Sequence, residues 1–152
     1  MNRKVICGVY TRVSTDNQAE KEYNSCQSQR EKVEHFIKSQ KDFSVYDYYS
    51  DEGFSGKDLN RSALKRMLEA VMAGKINCII TYKIDRLTRS PKNFYQLIEI
   101  FENYKVDFIS ITERFDTSTP SGRLLRNIML TFAQFERELS SERTRDKMYQ
   151  RA

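Results

Sequence analysis

Apolar residues fall along this chain in short runs with two rhythms. Residues 4–10 are apolar at nearly every position, which predicts a central strand covered on both faces. Residues 11–22 lose any period and read as a loop. From 23 to 40, Cys26, Arg30, Val33, Phe36 and Ile37 share one stripe at helical spacing. Residues 43–49 alternate aromatic and polar side chains, as an edge strand does. A loop with two glycines follows at 50–58. Asn60 or Ser62 is then placed to cap a helix whose apolar face is Leu64, Met67, Leu68 and Val71. Gly74 stands where a glycine ends such a helix. Residues 76–82 predict a second buried strand. Ser90-Pro91 opens a helix carrying Phe94, Leu97, Ile98 and Phe101, and residues 106–111 predict a further strand. The order β-α-β-α-β-α-β predicts an α/β fold, a mostly parallel central sheet with helices on both faces.

The last segment has a different character. Thr119-Pro120 repeats the cap-plus-proline start, and Leu125, Ile128, Met129, Phe132, Phe135 and Leu139 then recur at helical spacing. After Leu139 the chain turns polar, with no helix breaker before Ala152. Some thirty helical residues would span ~45 Å, longer than a core of this size needs. The expected division is an α/β core over 1–118 and a long C-terminal helix over 119–152. The broad stripe, rich in Met and Phe, predicts a homodimer interface at Leu125, Ile128, Met129, Phe132 and Phe135, ahead of the alternative that the helix packs across its own sheet and frays at its end.

Composition narrows the class. The 152 residues suit one domain with an ordinary core. No run is long enough to span a bilayer, and the basic start lacks the apolar stretch of a secretory signal. A cytoplasmic protein without a membrane partner is expected. The formal net charge of +5 and pI near 9.1 fit a polyanion such as nucleic acid, as well as a merely lysine-rich surface. Three widely spaced cysteines, Cys7, Cys26 and Cys78, read as reduced residues and not as a disulfide framework. One histidine, His35, and no close Cys pair argue against zinc.

Two predicted strands end in polar clusters, Tyr10-Thr11-Arg12-Val13-Ser14 and Lys83-Ile84-Asp85-Arg86-Leu87-Thr88-Arg89. The carboxyl edge of an open α/β sheet is where ligands bind. A serine is a poor nucleophile without an activating base or field. The chain supplies arginines in place of a Ser-His-Asp set. Arg12 lies two residues before Ser14, and Arg86 and Arg89 lie three apart. Guanidinium groups around one hydroxyl suit a phosphate, which they grip bidentately, and they suit its transition state. Removing one such fixed donor typically costs ~10²–10³ in rate. Asp85 is placed to hold an arginine or to pass a proton to a leaving oxygen. Residue physics alone leaves the choice open and favours Ser14 as a turn cap; Arg12 reads equally as a surface cation and Tyr10 as core.

The motifs taken together are more specific. Tyr10-x-Arg12-Val13-Ser14-Thr15-x-x-Gln18 resembles the N-terminal signature of the serine site-specific recombinases, the resolvase and invertase family. The 83–89 cluster resembles that family's Asp-Arg-Leu-x-Arg motif. Phe135-Glu136-Arg137-Glu138 and Glu142-Arg143 resemble its long-helix motif. Asp51-Glu52-Gly53-Phe54-Ser55-Gly56 with Asn60-Arg61 is similar to the large integrase and transposase branch. The resemblance implies that Ser14 attacks a DNA phosphodiester to give a 5′-phosphoserine and a free 3′-hydroxyl. It assigns Arg12, Arg86, Arg89 and Arg61 to the scissile phosphate. Asp85 and Gln18 would support that site and Tyr10 would line it. Glu136 and Arg137 would serve active-site support and assembly. It implies double-stranded DNA as partner, a dimer that becomes a tetramer in the synaptic complex, and no metal or cofactor. It also implies DNA-binding domains of the same parent chain after the long helix. The competing readings are a non-catalytic α/β module that binds a phosphate or partner, and a phosphate hydrolase with a transient phosphoserine.

Overall fold

The computed structural model describes residues 4–13, 26–52 and 61–150. Five strands form one sheet: β1 (Val5–Val13), β2 (Phe43–Glu52), β3 (Cys78–Thr81), β4 (Asp107–Ser110) and β5 (Phe115–Asp116). Their spatial order is β2-β1-β3-β4-β5. The first four run parallel, and β5 pairs antiparallel with β4. The helices are α1 (Cys26–Lys38), α2 (Ser62–Met72), α3 (Ile84–Leu87), α4 (Pro91–Asn103) and α5 (Pro120–Gln150).

Strand alternation divides the interior into two cores. Cys7, Val9, Cys78, Ile80 and Ile109 point to one face, where Val33 and Ile37 of α1 cover them. Tyr10, Tyr49, Ile79 and Phe108 point to the other, under Leu64, Met67 and Val71 of α2 and Phe94, Leu97 and Phe101 of α4. Burying each such side chain contributes ~1.5–3 kcal/mol. Chain order explains the division. From β1 the chain moves to β2 on one side and later to β3 on the other. Right-handed crossovers in opposite directions put their helices on opposite faces. The carboxyl ends of β1 and β3 are therefore the topological switch point of the sheet, where an open α/β sheet leaves a crevice.

Local signals acted as expected at several ends. Ser90 caps α4 by accepting the Asn93 N–H at 3.3 Å, with Pro91 in the first turn. Thr119 Oγ1 accepts the Gly122 N–H at 3.1 Å and donates to the Asp116 carbonyl at 2.7 Å. That closeness demands glycine, because a Cβ on Gly122 would lie 1.7 Å from the Asp116 oxygen. Gly74 takes φ +74° just past α2. Cys7 and Cys78 sit opposite each other on β1 and β3, and all three cysteines are free and buried. His35 is exposed.

Other expectations need correction. Strand β1 runs on through Thr11, Arg12 and Val13, which pair with Ser50, Asp51 and Glu52. Their polarity gave them the look of loop, yet Thr11 and Arg12 are buried and bonded. Ser62 does not cap α2. Arg61 holds the cap position without a side-chain capping bond, and the Asp51 carboxylate at the end of β2 accepts the Ala63 and Leu64 N–H groups instead, at 2.9 and 3.1 Å. On α1 the inward residue is Gln29, while Arg30 faces solvent and pairs with Glu34 at 3.3 Å. The one-turn α3 and two-residue β5 are too short for a periodic signal. Asn60 and most of the 50–58 loop lie outside the described residues.

Helix α5 has 31 residues, which makes it about 46 Å long. Its Met129 and Leu130 pack against this chain's own core, Ala133 is buried, and Tyr95 of α4 stacks on Phe132 with ring centroids 5.7 Å apart. Arg126 pairs with Glu102 at 3.0 Å, and Arg137 with Glu99 at 2.7 Å, so α5 is clamped along α4. Among the described residues, no helix is long and apolar enough to cross a membrane.

Candidate active site

The switch point holds a set of arginines. Arg12, near the end of β1, is fully buried, which is a costly place for a guanidinium without acceptors. It is met on each side. Its Nε donates to the Arg86 carbonyl at 3.1 Å and its Nη2 to the Asp85 carbonyl at 2.6 Å. Gln29 of α1 fixes the Arg12 backbone from both ends, with its Oε1 accepting the N–H at 3.3 Å and its Nε2 donating to the carbonyl at 3.1 Å.

Arg61, at the start of α2, is equally buried. Its Nη1 donates to the Tyr10 hydroxyl at 2.9 Å, and its Nη2 to the Leu87 carbonyl. Three consecutive carbonyls, those of Asp85, Arg86 and Leu87 in α3, thus take two guanidinium groups brought from other parts of the chain. Tyr10 in turn donates to Asp51 at 2.7 Å. Burial, with the Asp51 carboxylate adding to it against the opposing pull of Arg61 and Arg12, raises the phenol well above its usual pKa, so it remains a neutral donor.

Among the described residues, the arginines of this ensemble repel one another. Burial, then the fields of Arg61, Arg89 and Arg86, lower Arg12 to about 10. Arg12 still carries its proton at neutral pH. Because its pKa falls on folding, the charged form costs stability at every pH below about 10, and the cost fades only above that. An anion placed among these groups would remove it. Among the described residues, Arg61 Nε and Arg86 Nε are buried with no hydrogen-bond acceptor. Arg86 Nε stands 3.7 Å from Asp85 Oδ1, an ion-pair distance. A buried donor left without an acceptor costs ~1–3 kcal/mol.

The remaining candidates divide. Asp85 and Arg89 are exposed and line a cleft of about 590 Å³ with Lys83, Tyr95 and Met129. Ser14 and Gln18 lie outside the described residues; Ser14 follows β1 directly in sequence. Glu136 and Arg137 do not join the arginine set. They border a second cleft between α4 and α5, where Arg137 Nη1 bonds both carboxylate oxygens of Glu99 at 2.7 Å. Of the apolar stripe, Leu125, Ile128, Phe132 and Phe135 are exposed, together with Leu124, whereas Met129 turns toward the chain's own core. Sequence reading gave no role to Gln29 or Asp51. In the sequence Asp51 stands out only as the first residue of the 51–56 motif, inside the expected loop; its place on β2 beside Arg12 belongs to the structure.

Residues 7–152 match the model of the resolvase N-terminal domain. The chain is 33% identical to the Tn917 transposon resolvase of Enterococcus faecalis over 135 residues, covering 89% of this chain and 65% of that protein. It is 40% identical to the DNA-invertase hin of Salmonella typhimurium over 94 residues, covering 62% of this chain and 48% of the invertase. The chain thus spans about half to two thirds of these relatives' lengths. The crystal structure of the N-terminal catalytic domain of TP901-1 integrase superposes with a TM-score of 0.77 at 36% identity, covering 89% of this chain and 98% of that domain.

Proposed function

The chain belongs to the resolvase N-terminal domain family, and on that premise we propose that it is the catalytic domain of a serine site-specific DNA recombinase. Ser14 Oγ attacks the phosphorus of a DNA phosphodiester. The bond from phosphorus to the 3′-oxygen breaks, a 5′-phosphoserine ester forms, and the 3′-oxygen leaves as a hydroxyl. In the second half-reaction a 3′-hydroxyl of the exchanged strand attacks the phosphoserine and frees Ser14. One phosphate ester replaces another at each step, so no nucleotide is consumed.

The single observation that carries this reading is the convergence of Arg12, Arg61 and Arg86, two of them anchored on backbone carbonyls, at the carboxyl ends of β1 and β3. Donors held in place before the reaction cost little reorganisation when charge builds on phosphate oxygens. Arg12, Arg86, Arg89 and Arg61 are assigned to the scissile phosphate, Tyr10 and Gln18 to its surroundings, and Asp85 to the orientation of Arg86 or the proton on the leaving oxygen. Residues 1–118 form the catalytic core and 119–152 the assembly helix. Glu136 and Arg137 are assigned to contacts made on assembly, and the exposed face of α5 to a dimer that becomes a tetramer on duplex DNA. Site selection belongs to other regions of the parent protein.

The test is a denaturing gel for covalent adducts after incubation of the intact protein with duplex DNA fragments from its source genome. Wild type should give an adduct at the 5′ end, and Ser14→Ala none. An adduct that survives in Ser14→Ala would mean that another residue is the nucleophile. No adduct from wild type on linear or supercoiled DNA would instead favour a non-catalytic phosphate-binding module built on the same loops.

A further inference from the structure

We infer that Glu113 is a positioning residue of the arginine cluster: it holds α3 from behind so that the carbonyls of this helix present Arg12 and Arg61 to the phosphate. The inference rests on the recombinase reading above. Helix α3 has four residues and cannot persist by its own hydrogen bonds. Its amino end has no local cap, because Lys83 makes no side-chain capping bond. Glu113, from the turn after β4, supplies one across the sheet, its Oε2 accepting the Ile84 N–H at 2.9 Å. Its other oxygen accepts the Ser110 hydroxyl at 2.8 Å and the Thr112 hydroxyl. Ser110 is fully buried at the end of β4, so the carboxylate is moored to the sheet.

The far side of the same turn carries the arginines. Asp85 and Arg86 carbonyls take Arg12, and the Leu87 carbonyl takes Arg61. One helical turn is thus gripped by a carboxylate at its positive end and by two cations through its carbonyls, each with the polarity that the peptide dipoles favour. Glu113 borders the same cleft as Asp85 and Arg89, but both of its oxygens are engaged, Oε2 by the Ile84 N–H and Oε1 by the Ser110 and Thr112 hydroxyls. Desolvation works against the charged form, but the Thr112, Ile84 and Ser110 donors outweigh it and hold the carboxyl below its usual range.

The experiment compares Glu113→Ala, Glu113→Gln and Ser110→Ala in the intact protein, with two readouts. The first is hydrogen exchange of the Arg12 Nε–H by NMR, which needs no DNA. The second is the single-turnover rate of the covalent adduct beside the dissociation constant for DNA. Glu113→Ala should expose the Arg12 Nε–H and slow the adduct step about 10–100-fold, the usual scale for a lost supporting partner, with DNA affinity little changed. Glu113→Gln should recover most of both, because its amide oxygen accepts from Ile84 and its NH2 donates to a hydroxyl. Ser110→Ala should show a smaller loss of the same kind, and it decides the matter if Glu113→Ala does not fold. Wild-type exchange and rate in both Glu113→Ala and Ser110→Ala would overturn the inference. So would a Glu113→Gln variant as slow as Glu113→Ala, which would mark the carboxylate as an acid or base. A wild type that forms no adduct refutes the recombinase reading alone, and the exchange measurement still decides the role of Glu113.

Discussion

The Tyr10 hydroxyl donates to Asp51 at 2.7 Å from the neighbouring strand, and through that one bond the sheet and helix α2 share a hinge of polar contacts. The same Asp51 oxygen accepts the Leu64 N–H, and the Tyr10 oxygen accepts from Arg61. Tyr10→Phe removes a donor from Asp51 and an acceptor from a buried guanidinium. It should cost ~1–3 kcal/mol in urea unfolding. Asp51→Ala should cost at least as much, since it also uncaps α2. The double variant should lose less than the two together, with a coupling of ~0.5–3 kcal/mol for groups in one network. Additive losses would mean that the contact does no shared work.

Arg12 and Arg86 are neighbours in the cluster but differ in what holds them. Arg12 ties β1 to α3 through two carbonyls. Arg86 is buried with its Nε unbonded, opposite an exposed Asp85 at 3.7 Å. Replacing a buried, poorly answered charge by an apolar side chain of similar size is often neutral or stabilising. Arg86→Met should therefore unfold at the same or higher urea concentration than wild type, yet lose ~10²–10³ in adduct rate, the scale for one fixed oxyanion donor. Arg12→Met should lose activity and stability together. An Arg86→Met protein that is active, or that unfolds as readily as Arg12→Met, would show that Arg86 is there for structure.

This contrast also marks what could be read from residues in order. Strands β1 and β3 announce themselves as apolar runs, and Ser90-Pro91 and Thr119-Pro120 as caps, because those signals are local. The end of β1 is not local: Arg12 is strand because Asp51 lies beside it and Gln29 and two carbonyls answer its polarity. Asn60 and Ser62 stand where capping residues normally do, yet α2 is capped from Asp51, eleven residues before Ser62. Arg86 and Arg89 were legible as cations after a strand. The role of α3 as the surface on which Arg12 and Arg61 rest depends on carbonyls, which every residue has and no sequence distinguishes.

Helix α5 poses the same problem in a form that can be tested. Helical period identifies a stripe but not which edge of it meets the chain's own core. Met129 and Ala133 face α4, whereas Leu124 is 64% exposed, Ile128 44% and Phe135 52%. Apolar side chains aligned along one face of a helix that outruns its core call for a second surface. A second copy of this chain is the occupant that the recombinase reading requires. Ile128→Glu and Phe135→Glu should leave urea stability within ~0.5 kcal/mol, as exposed substitutions do, and should weaken self-association in sedimentation velocity. Phe132 is a poorer probe, because its ring stacks on Tyr95. Met129→Glu should behave in the opposite way, destabilising the monomer by placing a charge against its own core. Unchanged sedimentation of both exposed-face variants would reject this face as the dimer surface. Dissociation by Met129→Glu without loss of stability would mean that α5 leaves its seat on α4 when two chains meet.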